Sequence, residues 1–388
     1  MTDLLDQPSK VRAGQSFDAS ALVAWLRANA GASLEGESGE DGTSPERGRD
    51  LDGTSPALPE RGRDFVEVLQ FGRGYSNLTY LVRLGEREIV VRRAPPGVAI
   101  KSAHDMGREY RILRALAPSW TKAPRPIAYC EDAAILGTPF YAMERVRGVI
   151  LRGRAAPSLA LSEDAMREAS AAACDTLVEI HNLDWRAIGL GDLGKPEGYV
   201  ERQVRGWAER YRKARTDDVP QVERLGSWLD EHRPGESGAT LVHNDFKYDN
   251  LVLSPDLARV VAVLDWEMAT VGDPLMDLGT ALGYWIQLDD PPVFHVAIFG
   301  PTHLPGNLTR LQFVERWSRA TGRDAGNVLF YFAFALFKLA VVAQQLYKRW
   351  VDGNTKEERY AGMLEGVRAV ATSALVAVDK GRIDQLGD

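Results

Sequence analysis

The sequence predicts a two-lobed α+β fold, with a five-stranded antiparallel sheet plus one helix followed by a mostly helical lobe. From Phe65 to Gly148 the chain alternates β-branched and aromatic runs with glycine-bearing turns, the pattern of a meander. From Ser162 onward apolar residues recur at helical spacing. Inside that helical half, Leu251–Leu253 and Val260–Leu264 are short apolar runs separated by Ser-Pro-Asp, which reads as a buried hairpin.

Residues 1–31 carry one amphipathic helix at 16–31. Asp18 or Ser20 caps it, Leu22, Val23, Trp25 and Leu26 form its stripe, and Gly31 stops it. Residues 32–64 collapse to Gly, Ser, Pro and charge, with DGTSPERGRD at 41–50 nearly repeated as DGTSP and PERGRD at 52–56 and 59–64. Such a tract buries too little apolar surface to offset its ordering entropy, so a flexible, inserted loop is expected.

The first lobe spans 65–147. FVEVLQF (65–71), NLTYLVRL (77–84) and REIVVRR (87–93) are its first strands. Gly72 and Gly74 in the first turn allow close backbone approach to a ligand, with Ser76 and Asn77 as polar contacts. A helix at 104–117 follows, then strands in PRPIAYC (124–130) and TPFYAMERVRG (138–148). Because strand side chains alternate, Arg92 and Arg93 face opposite ways, and Arg93 is expected to face solvent.

The second lobe spans 148–388. Ser162 caps a helix running through Ile180, with His181 at its C-terminal end. Two helices fill Gly198–Leu229, and three more lie between Leu308 and Val378. Val328–Val342 is the most apolar stretch. Its unbroken run stops at Lys338, short of the ~20 residues a membrane span needs, so a buried core helix is expected.

Composition narrows the function. Of 388 residues, 45% are hydrophobic and 26% charged, as in soluble globular proteins. A net charge of −7 gives no support for a nucleic-acid partner. Two cysteines, Cys130 and Cys174, make no disulfide framework and suit a reducing compartment. The acidic N-terminus MTDLLDQ lacks a signal peptide's apolar core, so a cytoplasmic protein without membrane association is expected.

The chemistry concentrates in LVHNDFKYDNLVLSPDLARVVAVLD, 241–265. His243 and Asp245 open a short loop, Asn250 follows five residues after the Asp, and Asp265 ends the second hairpin strand. Phosphoryl transfer needs few protein groups: a carboxylate near the attacking hydroxyl, and oxygen ligands for the Mg²⁺ that bridges the phosphates. The H-x-D-x-x-x-x-N spacing with a later Asp matches the catalytic and metal-binding elements of protein kinases.

HNDFKYDN followed by LDWEMATVGDPLMDLG resembles the aminoglycoside-phosphotransferase-like branch of the protein-kinase-like fold. The resemblance is strongest to the subgroup found alone in bacteria or fused to acyl-CoA dehydrogenases, and it runs from about Phe65 to the C-terminus. Asn244 departs from it, since that family usually has Gly there. The resemblance implies ATP and Mg²⁺ between the lobes, with Asp245 orienting and partly deprotonating a substrate hydroxyl. It implies Asn250 and Asp265 as metal ligands, His243 as the loop brace and Lys247 reaching the γ-phosphate. It further implies Gly72, Gly74, Ser76 and Asn77 over the phosphates. Arg92 stands in place of the strand-three Lys and pairs with Glu109, and the Met143, Glu144 and Val146 backbone meets adenine. Asp277 braces the catalytic loop and Asp273 caps the next helix.

Seven residues separate Asp265 from Asp273, too few for the activation segment of a protein kinase, so a small-molecule acceptor is expected. A non-catalytic nucleotide scaffold would lack one of the three groups, yet Asp245, Asn250 and Asp265 are all present. The helix at 199–215 carries Arg202, Arg205, Arg210, Arg212, Lys213 and Arg215 against Glu201 and Glu209. Tyr199, Trp207 and Tyr211 are interleaved, as if to stack on a planar group. That charge favours an anionic acceptor over a polycationic aminoglycoside, and the resemblance suggests a hydroxyacyl-CoA.

Overall fold

The computed structural model describes residues 7–12, 14–29, 66–72, 77–95, 105–153, 161–296, 299–355 and 357–387; the low-complexity tract at 32–64 lies outside them. The chain divides into two compact units, Asp6–Val146 and Arg147–Asp388.

The first unit is an antiparallel sheet in the order β1-β2-β3-β4-β6-β5. Its strands are β1 (Ser9–Lys10), β2 (Val66–Gln70), β3 (Leu78–Leu84), β4 (Arg87–Arg93), β5 (Pro126–Cys130) and β6 (Phe140–Glu144). The sixth strand, beyond the five expected, is the two-residue β1, which pairs Ser9 and Lys10 with Gln70 and Leu69. It is too short to leave a periodic signal in the sequence.

Both sheet faces are covered. On one lies α1 (Ala19–Asn29), whose Leu22 and Leu26 pack with Tyr80, Val82, Ile89, Val91 and Phe140. Asp18 caps it through the Ser20 amide at 2.9 Å. On the other lies α2 (Met106–Leu116), capped by Asp105 and burying Met106, Glu109, Ile112, Leu113 and Leu116. This double cover overturns the expectation that Arg93 faces solvent. Arg93 is 3% exposed, on the α1 side with Ile89 and Val91. It donates to the Leu136 carbonyl, to the Tyr80 hydroxyl at 3.0 Å and to the Gln15 carbonyl at 3.2 Å. Phe17 and Tyr80 rings each lie 5.4 Å from its guanidinium. The N-terminal segment folds over the face that a bare sheet would have left open.

The second unit holds α4 (Glu163–Asn182), α5 (Tyr199–Ala214), α6 (Pro220–Glu231), α7 (Pro274–Gly283), α8 (Arg310–Thr321), α9 (Val328–Val351) and α10 (Met363–Lys380). The label α3 belongs to a single turn, Ala133–Leu136, in the first unit. Ser162 caps α4 as expected, accepting from the Ala165 amide at 3.2 Å. The hairpin forms between β8 (Leu251–Leu253) and β9 (Val260–Val263), and β7 (Thr240–Val242) pairs with β10 (Thr270–Gly272). Val149 bridges to Leu253, and a Cβ on Gly148 would lie 2.3 Å from the Leu253 carbonyl oxygen, so the close approach requires glycine.

Helix α9 is long and apolar enough to cross a membrane, as is Glu358–Lys380. In this fold α9 is the core of its unit, packed by α10, α7, α5 and α6 with Phe330–Lys338 buried throughout. Arg310, fully buried, ties the C-terminal residues to this core. It forks onto the Asp290 carboxylate, donates to the Trp285 carbonyl at 2.9 Å and to the Ile383 carbonyl, and lies 5.1 Å from the Phe332 ring.

Candidate active site

The hairpin and the β7–β10 pair bring the polar residues of 243–265 together at the ends of buried strands. Two turns within the loop need left-handed backbone: Asn244 sits at φ 65° and Asp265 at φ 67°. Asn is among the few L residues that enter this region at low cost, so it can stand where Gly is usual. Its side chain then adds bonds that Gly lacks, donating to the Met268 carbonyl at 3.1 Å and meeting the Tyr199 hydroxyl at 3.2 Å.

Asp277 on α7 fixes the loop from beneath. Its Oδ2 accepts from the His243 amide at 2.6 Å and its Oδ1 from the Asn244 amide at 2.7 Å. Behind it, Trp317 Nε1 donates to His181 Nδ1 at 3.0 Å, and His181 Nε2 lies 3.2 Å from Asp277 Oδ2. An indole N–H only donates, so Nδ1 is bare and Nε2 carries the proton toward Asp277. His181 therefore sits in the last turn of α4, as expected, and is also an interior link to Asp277. Burial pushes the Asp277 carboxyl up, but the bonds and charge of its partners outweigh it and hold it below the usual range. Asp273 caps α7 through the Leu275 amide at 2.8 Å.

His243 braces the loop from its other side. Nδ1 accepts from the Asp245 amide at 3.3 Å and Nε2 donates to the Leu264 carbonyl at 3.0 Å, so one imidazole joins Asp245 itself to the residue before Asp265. Trp266 seals it, its ring 4.9 Å away.

The Asp245 carboxylate accepts four hydrogen bonds. Lys247 Nζ spans both oxygens at 2.9 and 2.8 Å, the Tyr284 hydroxyl donates to Oδ1 at 2.6 Å, and Asn250 Nδ2 donates to Oδ2 at 2.9 Å. Burial disfavours its charge, but Lys247 and these bonds outweigh that and hold its pKa below the ordinary Asp value. Burial also works against the Lys247 ammonium, and Asp245 more than compensates. The Tyr284 phenol is pushed up by burial and then by Asp245, so it stays a donor.

Asn250 also donates to the Asp245 carbonyl at 2.8 Å. With Nδ2 turned to Asp245, its Oδ1 points the other way, a hard oxygen donor on the side away from the base. Together with the Asp265 carboxylate this fits Mg²⁺, which commonly takes one or two protein oxygens plus phosphates. Lys247 senses the Asp265 charge as well as that of Asp245.

In the first unit, Arg92 Nε lies 3.4 Å from Glu109 Oε2, both side chains buried, so the register chosen from the sequence brings this pair together. Gly72 accepts at its carbonyl from Arg12, which anchors the turn to the N-terminal segment. Gly74 and Ser76 lie outside the described residues; Asn77 is buried at the start of β3. Met143 and Glu144 on β6 pair with Val90 and Ile89 of β4, Glu144 binds Arg125, and Val146 ends the unit.

The stacking role expected of Tyr199, Trp207 and Tyr211 does not hold: they are 5%, 6% and 3% exposed. With Val200, Val204 and Ala214 they are the inward stripe of α5, at the spacing any packed helix shows. Two residues at the site were not singled out from the sequence. Tyr284 lies in the GYW run ending α7. Lys338 lies mid-α9, 8% exposed, and donates to the Asn244 carbonyl at 2.8 Å. The signal for Lys338 was present, as the lone cation interrupting a ten-residue apolar run; a buried charge has a partner.

Comparison with known proteins agrees with this architecture. The chain is 39% identical over 295 residues to mouse acyl-CoA dehydrogenase family member 10, covering 74% of this chain and 27% of that relative. It therefore spans about a quarter of that relative's length. A crystal structure from Ralstonia eutropha, provisionally assigned as an aminoglycoside phosphotransferase, superposes with a TM-score of 0.72 at 28% identity, over 94% of this chain and 99% of that one. The aminoglycoside phosphotransferase APH(4)-Ia, in ternary complex with AMP-PNP and hygromycin B, shares the fold: TM-score 0.52, 18% identity, 80% of this chain and 95% of that one. The model of the phosphotransferase enzyme family matches residues 67–313, and the chain belongs to that family.

Proposed function

We propose that the protein transfers the γ-phosphoryl group of ATP to a hydroxyl of a hydroxyacyl-CoA or another anionic metabolite. One observation carries this reading: Asp245 is kept ionised and aimed by Lys247, Tyr284 and Asn250, the state a general base requires. Asp245 takes the acceptor's proton as its oxygen bonds to phosphorus and the bond to the bridging oxygen of ADP breaks. Lys247 exchanges one of its contacts on Asp245 for the γ-phosphate. Asn250 and Asp265 would hold Mg²⁺, which when bound neutralises charge on the phosphates. In the first unit Arg92, paired with Glu109, would meet the α- and β-phosphates, and the Met143–Val146 backbone would meet adenine, as the family resemblance implies. His243 positions and does not react, since both its nitrogens are engaged.

The acyl-CoA suggestion is supported by the names of the relatives, which speak of those longer proteins. The reading also places the protein in the cytoplasm, where its two buried free thiols, Cys130 and Cys174, stay reduced. The test is ATP consumption by the purified protein with hydroxyacyl-CoA esters and with kanamycin-type aminoglycosides, in wild type and Asp245→Ala. Turnover on the thioesters that the variant loses, with its Mg-ATP affinity retained, is expected. Turnover that persists in Asp245→Ala sinks the assignment, and turnover confined to aminoglycosides sinks the acceptor class.

A further inference from the structure

The six cations of α5 are not equivalent once each partner is named. Arg205 pairs with Glu201, Lys213 with Glu209, and Arg215 with Asp218 and Glu223. Arg202 is spent on the Lys195 and Glu197 carbonyls, and Arg212 on the Ala208 carbonyl. Arg210 makes no ion pair among the described residues, although its charge acts on Glu209. It lies over the Trp207 ring, 4.5 Å from its centroid.

The same indole has a second cation 5.8 Å from its centroid, Lys338 from α9. An ammonium has three N–H donors, and Lys338 uses one, on Asn244, the residue before the base. The acids near it are already engaged: Asp277 by the His243 and Asn244 amides and His181, Asp245 by Lys247, Tyr284 and Asn250. Burial pulls the Lys338 amine below the ordinary lysine range; the Asp245 and Asp277 charges oppose this, while Lys247 and, least of all, Arg210 add to it. Two cations lie against one indole, and Lys338 keeps two N–H donors beyond its bond to Asn244, which an anion set there would accept.

Resting on the reading of Asp245 as the base, we propose that Lys338 and Arg210, both set against the Trp207 ring, form a subsite for an acidic group of the acceptor, a carboxylate or phosphate close to the reacting hydroxyl. Lys338 ties this subsite to the base through Asn244, so binding the acidic group places the neighbouring hydroxyl at Asp245. A neutral or polycationic acceptor gains nothing there, and neither does a CoA thioester, whose phosphates lie far from the acyl hydroxyl; among anionic acceptors the subsite favours a short hydroxy acid or its phosphate.

Matched acceptors test it: glycerate (carboxylate) and glycerol 3-phosphate (phosphate) against glycerol, by ATP consumption at fixed Mg-ATP. An at least tenfold preference for one of the acids over glycerol is expected, and which acid wins names the group. Arg210→Gln, on the exposed face, should raise KM for that acid at least tenfold and leave KM for glycerol and for Mg-ATP within twofold. Lys338→Met should also raise KM for that acid, on top of a loss with every acceptor because it frees the Asn244 carbonyl beside the base, and Lys338→Arg should restore part of the preference; the melting temperature identifies a variant that has failed to fold. Equal use of glycerol, no use of either acid, or an unchanged preference in Arg210→Gln overturns the subsite. Because glycerol turnover and its loss in Asp245→Ala report on the base alone, failure of the subsite is distinguishable from failure of the catalytic reading.

Discussion

Tyr284→Phe isolates one hydrogen bond to the general base. The ring stays, and with it the edge contact to Phe299 at 4.9 Å and the Lys247 ammonium 4.8 Å from its centroid. What is lost is the 2.6 Å bond to Asp245 Oδ1. A hydrogen bond to a charged group contributes ~1.5–3 kcal/mol, and with three other bonds left on the carboxylate the lower end applies. At 1.36 kcal/mol per decade that is about tenfold in rate. The sign follows from the shift: Asp245 is held below its ordinary value, so removing a donor to its charged form moves it upward. The acid limb of the kcat/KM profile therefore moves to higher pH, with about a tenfold deficit on the limb that narrows toward alkaline pH. Stability follows the same linkage. The stabilisation from these bonds is present above the unfolded Asp value, ~3.9, and is lost as pH falls through the folded one. The variant should thus melt below wild type at neutral pH, with the gap closing in acid. An unmoved acid limb would refute the reasoning, whatever the change in kcat.

Asp265→Asn should weaken Mg-ATP binding more than binding of metal-free ATP; equal losses by calorimetry would make Asp265 structural. Arg93→Met strands the carbonyls of Leu136 and Gln15, and chemical denaturation should show a loss of roughly 2–4 kcal/mol. A surface-like change below ~0.5 kcal/mol would contradict its burial. Arg310→Met leaves the fully buried Asp290 unpaired and should cost ~3–5 kcal/mol, while the double change with Asp290→Leu should recover much of it. A double variant no better than the single one would show that the Ile383 and Trp285 carbonyls, not the charge pair, dominate.

The parts of the site read from the sequence were those whose spacing is local. His243, Asp245 and Asn250 share one loop, and Asp265 ends the strand next to it. The strand register of Arg92 was legible because alternation is a two-residue rule and its neighbours are apolar on both faces. Arg93 was misread because that rule says which face a side chain takes, not what covers the face; the cover is α1, some 60 residues earlier. The α5 aromatics were misread for the converse reason, since a stripe at helical spacing looks the same whether it meets a ligand or a neighbouring helix. Tyr284 and Lys338 reach the loop from 39 and 94 residues away, a convergence set by helix packing rather than by any motif.

Asn244 makes its position hard to reverse. In Gly's usual place it tolerates the same φ, but the buried Tyr199 hydroxyl has Asn244 as its hydrogen-bond partner among the described residues. Restoring Gly would orphan that hydroxyl, a penalty of ~1–3 kcal/mol for a buried polar group. Removing the Tyr199 ring first does not open an easy route either, because it packs so closely on Gly272 that a Cβ there would lie 2.7 Å away. The three positions are coupled in two separate ways, Asn244 to Tyr199 through the hydroxyl and Tyr199 to Gly272 through the ring, so Tyr199→Phe would loosen the first tie and keep the second.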